Sequence, residues 1–172
     1  MKQPVARRGR KQSAPRAKLF ISDVDGVLTD GGIYVDEKGR RSRRFSVRDG
    51  LAFDMARKAG LRTAIISGKD TGDILSRARE LGVDDVRLGV ADKLREVKKL
   101  AKRHRIDLEE VCYIGDDLTD LEVMREVGCA ITVPGAPEEL MRAADFVTGA
   151  EGGQGAVRDA ILHLLGTRES SQ

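Results

Sequence analysis

The sequence predicts an α/β fold, a three-layer parallel sheet with helices on both faces. Two features carry that reading. Short β-rich apolar runs alternate with segments of helical period along most of the 172 residues, the pattern of repeated strand–helix units. Runs such as "LRTAIIS" and "VCYIG" are also apolar almost throughout, as strands covered on both faces must be. The length suits one domain with one core and is short for two.

The elements follow in order. Residues 19–22, "LFIS", form the first strand. Residues 33–47, "IYVDEKGRRSRRFSV", read as a β-hairpin with "DEKGR" as the turn between two β-rich arms. Asp49 is placed as N-cap of the helix "GLAFDMARKAG", closed by Gly60. The strand "LRTAIIS" leads to a helix over residues 71–81 that stops at Gly82, and "DVRLG" is a short strand. A Lys- and Arg-rich amphipathic helix covers residues 92–105. Then come the strand "EVCYIGD", the helix "DLEVMREVG", the strand "CAITV", a helix after "PGAPEELMRAA", the strand "FVT" and a last helix "GAVRDAILHLLG".

In such sheets ligands bind at the carboxyl ends of the strands, and those ends carry the chemistry here. The first strand ends in Asp23-Val24-Asp25, the second in Ser67-Gly68, and "EVCYIGD" in Asp116-Asp117, while Lys93 opens the helix after "DVRLG". Clustered carboxylates repel one another unless a cation sits among them, and a hard divalent ion such as Mg²⁺ suits oxygen ligands. A hydroxyl beside a glycine amide, with a lysine nearby, makes a cradle for a phosphoryl group. Two acids one residue apart can divide nucleophilic attack and proton transfer between them.

Other readings of these residues fail. A calcium loop starting at Asp23 wants an oxygen ligand fifth, Gly sixth and Glu twelfth, but those positions hold Val27, Leu28 and Tyr34. No nucleotide-binding glycine motif opens a helix. Aromatic residues make up 3% and Trp is absent, which argues against stacking on exposed bases. Cys112 and Cys129 lie in apolar surroundings and read as buried reduced thiols. His104 and His163 lack ligand-spaced partners and are assigned no chemistry.

Charge divides the chain unevenly. Residues 1–18 hold seven of the 31 basic side chains and no acid, so the remaining 24 face 28 acids, a net of −4. The polar, Pro-containing residues 1–17 are expected to be a disordered basic leader, able to touch RNA or acidic surfaces only non-specifically. Nothing in it has the apolar core of a signal peptide, and no run is long enough to span a membrane. A cytoplasmic location is expected, with the folded domain over residues 18–166 and a flexible tail over 167–172.

In order, "DVDGVLTDG", "IISGK", "DK" and "YIGDDLTD" resemble the four motifs of the haloacid dehalogenase superfamily of phosphatases. The hairpin, "FSVRDG" and "GGQGAVRD" narrow the resemblance to its small, cap-less branch. It covers residues 18–166. It implies a fold with a hairpin flap and no cap domain, and Mg²⁺-dependent hydrolysis of a small sugar-acid phosphate, such as 3-deoxy-D-manno-octulosonate 8-phosphate of lipopolysaccharide synthesis. Asp23 would be the nucleophile forming an aspartyl-phosphate, and Asp25 the general acid/base. Asp23, Asp116 and the Asp25 carbonyl would hold the metal, with Asp117 behind these ligands or holding a metal-bound water. Ser67, Gly68 and Lys93 would hold the phosphoryl group, and Asp120 would orient Lys93 or cap its helix. The resemblance also implies a homotetramer in which one subunit's hairpin covers a neighbour's site, its arginines offering charge to an acidic sugar. Arg48 and Gln154 are expected at the substrate, a structural ion pair being the alternative for Arg48. Gln154 stands where the branch has Arg, which brings forward a nonulosonate 9-phosphate as the alternative substrate.

Two readings of another class compete. A phosphorylation-dependent receiver also groups acids, a hydroxyl and a lysine on a parallel sheet, but its accepting Asp lies on the third strand and it lacks an acid like Asp25. An RNA-associated protein acting through the leader is the other.

Overall fold

The first strand, β1 (Leu19–Ser22), is buried along its whole length and lies in the middle of a six-stranded sheet. A computed structural model describes residues 17–169 of the chain; residues 1–16 of the expected leader and 170–172 of the expected tail lie outside them. The hairpin strands β2 (Tyr34–Val35) and β3 (Arg41–Ser42) pair antiparallel as a separate ribbon, with Thr29 bridging to Phe45 at its base. After helix α1 (Val47–Lys58) the sheet resumes with β4 (Arg62–Ile66), α2 (Gly72–Leu81), β5 (Asp85–Arg87) and α3 (Lys93–His104). It continues through β6 (Val111–Gly115), α4 (Leu121–Glu126), β7 (Cys129–Thr132), α5 (Glu138–Ala143), β8 (Phe146–Val147) and α6 (Ala156–Glu169). The last helix thus runs beyond residue 166, where the sequence suggested the domain would end.

The strand order is β5-β4-β1-β6-β7-β8, and every neighbouring pair is parallel. The order reverses direction between β1 and β6, so the loops after these two strands part and leave a crevice at their carboxyl ends. Each strand buries alternate residues on opposite faces. Phe20, Ile65, Cys112 and Ile131 pack with α1, α2 and α6 in one core. Leu19, Ile21, Ile66, Tyr113 and Ala130 pack with α3, α4 and α5 in the other. Two covered faces are the reason these strands read as unbroken apolar runs.

Most boundaries agree with the sequence reading. Gly82 closes α2 at φ +63°, and Asp92 caps α3 by accepting from the Arg95 amide. Asp49 is the exception. Ser46 caps α1, its Oγ accepting from the Arg48 amide at 3.2 Å, and Asp49 falls inside the first turn. Its carboxylate instead crosses to α6, where Oδ1 accepts from the Arg158 amide at 3.0 Å. An acid near two helix starts satisfies whichever has open N–H groups and no side chain of its own, and here that is α6. Among the described residues no helix is long and apolar enough to cross a membrane.

Candidate active site

The loop after β1 turns sharply. The Val24 carbonyl accepts from the amides of Val27, Leu28 and Thr29 at 2.9–3.2 Å. Gly26 adopts φ +82°, and a Cβ there would stand 1.8 Å from Asp116 Oδ2. Only glycine therefore lets the β1 and β6 loops close on each other. This contact brings Asp116 close to Asp23, the residue that follows β1.

Lys93 completes the centre. Its Nζ lies 3.0 Å from Asp23 Oδ2 and 2.7 Å from Asp120 Oδ1, and all three side chains are buried. Asp120 also accepts from the Tyr113 hydroxyl and from the amides of Asp116 and Asp117. It is thus both anchor for Lys93 and acceptor for the turn that presents the acid pair. Of the two roles expected of it, orienting Lys93 is the one seen, since its side chain makes no cap bond to α4. A Cβ on Gly115 would meet the Asp120 Cβ at 2.5 Å, so this packing too requires a glycine.

The electrostatics suit a bound cation. Burial, reinforced by the nearby Asp120 charge, pushes the Asp23 carboxyl up to about 7 despite Lys93. Burial and then Asp120 push Asp116 to about 6. Burial alone would lower Lys93, but Asp23 and Asp120 outweigh it and raise its pKa. Carboxylate oxygens of Asp23, Asp116 and Asp120 lie within 4.8 Å of one another. The four donors already on Asp120 leave Asp23 and Asp116 as the carboxylates turned to a metal. A hard divalent ion fits this donor set, since oxygen ligands with excess negative charge are what Mg²⁺ takes.

A cleft of about 470 Å³ gathers Asp23, Asp25, Ser67, Gly68, Lys93, Asp116 and Asp117, together with Lys69 and Thr119. Ser67 is buried at the end of β4 and its Oγ accepts from the Lys69 amide at 3.0 Å, which leaves its hydroxyl hydrogen to donate into the cleft. Asp117 caps the following 3-10 turn by accepting from the Leu118 amide. Arg48 and Gln154 are not among the cleft's lining residues. Both are exposed, and Arg48 Cδ lies beside Gly155.

The sequence reading left some participants unnamed. Tyr113 gave no signal beyond being a polar-tipped residue in an apolar strand. Arg43, expected merely among arginines offered to substrate, instead turns inward, with Nε 2.6 Å from Asp25 Oδ1 and Nη1 3.0 Å from Asp73 Oδ2. Nothing in "RRSRRF" distinguishes it from its three neighbouring arginines.

A parallel sheet whose first strand ends in Asp-x-Asp, facing Ser, Lys and a late acid pair, defines a class of phosphoryl-transfer hydrolases. The haloacid dehalogenase-like hydrolase family matches residues 86–161. The 3-deoxy-D-manno-octulosonate 8-phosphate phosphatase of Escherichia coli is 39% identical over 152 residues, covering 88% of this chain and 81% of the relative. The same enzyme from Moraxella catarrhalis, solved in complex with magnesium ion, phosphate ion and a KDO molecule, superposes with a TM-score of 0.86 at 40% identity, covering 91% of this chain and 90% of that one. The cobalt-bound form of the Haemophilus influenzae phosphatase superposes with a TM-score of 0.87 at 35% identity, covering 93% and 94%. The chain belongs to the haloacid dehalogenase-like hydrolases and, among them, to the family of these phosphatases. It is a phosphoric monoester hydrolase, and Mg²⁺ is the cofactor its acids fit.

Proposed function

We propose that this enzyme hydrolyses a small sugar-acid phosphate, with 3-deoxy-D-manno-octulosonate 8-phosphate as the leading substrate, through an aspartyl-phosphate on Asp23. The observation that carries the reading is Lys93 bridging Asp23 and Asp120 beneath Asp116 at the point where the strand order reverses. The similarity to phosphatases named for that substrate supports it.

Asp23 attacks phosphorus, forming a carboxylate O–P bond as the bond from phosphorus to the sugar oxygen breaks. Asp25 gives that departing oxygen a proton, and then takes one from the water whose attack on phosphorus releases phosphate and restores Asp23. Ser67 Oγ and the Gly68 amide hold phosphoryl oxygens, and Lys93 balances charge on nucleophile and phosphate. Asp23, Asp116 and the Asp25 carbonyl would hold Mg²⁺, with Asp117 beside a metal-bound water, and the ion would neutralise charge on the phosphoryl group. Ile33, Tyr34 and Val35 on the hairpin, and Val47 and Leu51 on α1, are exposed apolar residues. This surface supports a homotetramer in which the hairpin covers a neighbour's open cleft.

A phosphate-release assay across acidic and neutral sugar phosphates, with and without Mg²⁺, tests the reading. Metal-dependent turnover favouring octulosonate 8-phosphate is expected, with mass spectrometry of a quenched reaction placing phosphate on Asp23. Turnover that persists in EDTA, or label on Ser67, would overturn it.

A further inference from the structure

We propose that Arg43 is a positioning residue for Asp25, fixing the acid/base carboxylate from the hairpin's return arm. The proposal rests on the reading of Asp25 as acid/base given above. The side chain is only 3% exposed, although the residues on either side of it, Ser42 and Arg44, are exposed. Its Nε and Nη2 reach the two oxygens of Asp25 at 2.6 and 3.2 Å, a side-on fork that fixes the carboxylate's plane as well as its place. Its other arm is tied down separately. Nη1 donates to Thr71 Oγ1 at 3.0 Å and to the Asp73 carboxylate at 3.0 and 3.2 Å, and Thr71 donates to Asp73 in turn.

The order of contacts is that of an oriented acid/base. Asp73 and Thr71, at the start of α2, hold Arg43, and Arg43 holds Asp25. The arm is anchored again nearby, where Arg77 of α2 donates to the Ser46 carbonyl at 2.9 Å and lies over the Phe45 ring. Asp25 otherwise stands on an irregular loop beyond the end of β1, where nothing but this fork fixes its rotamer among the described contacts. The 3.2 Å contact to Oδ2 yields first when a substrate oxygen arrives, while the 2.6 Å contact keeps Oδ1 in place. The hairpin thus serves the chemistry of its own subunit.

The test compares kcat/KM on two substrates, because that ratio ends with departure of the first leaving group. A sugar phosphate expels an alkoxide that needs a proton, whereas p-nitrophenyl phosphate expels a phenolate that does not. Arg43→Ala should lower kcat/KM on the sugar phosphate by about tenfold or more and change the aryl substrate little. Arg43→Lys, which keeps the charge without the fork, should fall between, and Asp73→Asn should repeat the pattern more weakly. Inhibition by inorganic phosphate should stay unchanged, and adding Arg43→Ala to Asp25→Asn should cause no further loss. Should Arg43→Ala melt below the assay temperature, the Lys and Asp73 variants carry the same comparison. Equal losses on both substrates, or weaker inhibition by phosphate with kcat intact, would show a structural or substrate-binding role and overturn the proposal. If Asp25→Asn itself treats the two substrates alike, the acid role fails and this proposal with it. A leaving-group-dependent Asp25→Asn beside an even-handed Arg43→Ala removes the proposal alone.

Discussion

Asp23, just past β1, and Asp85, at the start of β5, are both buried carboxylates at opposite ends of one sheet. Asp85 begins β5, and Arg87, Arg103 and His104 surround it at 3.3, 2.8 and 2.5 Å. Two arginines and an imidazole meet the acid there, Arg87 being shared with Glu96, and the cluster needs nothing further. At the carboxyl end, Asp23, Asp116 and Asp120 share one internal cation, Lys93, and two of the three are held well above the ordinary carboxylate range. Burying charge is tolerable when it is balanced within the fold. An imbalance retained at the strand ends, where ligands bind, therefore marks a binding function rather than a structural one.

The largest effect that separates the two clusters is on turnover. Asp116→Asn should reduce kcat/KM by roughly 100-fold or more, because it removes a metal ligand from a site where charge stabilisation dominates. The same change should raise the melting temperature of the metal-free protein above pH 6, since it deletes a carboxylate that the fold disfavours in ionised form. Asp85→Asn should do the reverse, leaving kcat/KM within experimental error while lowering stability by about 1–2 kcal/mol as charge-assisted hydrogen bonds from Arg103 and His104 weaken, Arg87 keeping Glu96. If both variants lose activity together, the division between the ends fails. Next in size is ligand linkage: Mg²⁺ at 100 times its Kd should stabilise the wild type by about 2.7 kcal/mol. In denaturant titrations this gain should vanish for Asp116→Asn and persist for Asp85→Asn.

How far the sequence disclosed these clusters follows from what kind of signal each left. Asp23, Asp25 and Asp116 were legible because they interrupt apolar strands, and strand ends in a parallel sheet converge. Asp85 also follows a turn and opens a strand, but its partners sit on β5 and α3, up to 19 residues away, and nothing local tells an acid balanced within the fold from one turned to a ligand. Arg43 was hidden for the opposite reason: four arginines in six residues look alike until the hairpin's twist turns one of them inward. Arg48 and Gln154 were carried by motif order alone, and neither is among the residues that line the cleft. Asp49 was rightly placed near a helix start but assigned to the wrong helix, because tertiary packing of α1 on α6 decided which N–H groups it meets.

That misassigned residue offers the smallest effect and the cleanest control on the comparison, being a third buried acid that belongs to neither cluster. Burial raises Asp49 from 3.8 to about 6, against the lowering by the Arg158 and Val157 amides, and its Oδ2 has no hydrogen-bond partner. The folded state therefore binds a proton more tightly than the unfolded chain. Its contribution to stability is present below about pH 4 and is lost as pH rises through about 6. The shift bounds that loss at about 3 kcal/mol. Asn keeps an acceptor for the α6 amides without the charge, although its buried amino group must find a partner. Asp49→Asn should thus flatten the fall in unfolding free energy between pH 4 and 7 and stabilise the protein by about 1–2 kcal/mol at pH 8. Urea titrations in EDTA at several pH values measure both, and kcat at saturating Mg²⁺ should not change. A slope equal to the wild type's would move the pH dependence to Asp23 and Asp116, and adding Mg²⁺ should then abolish it.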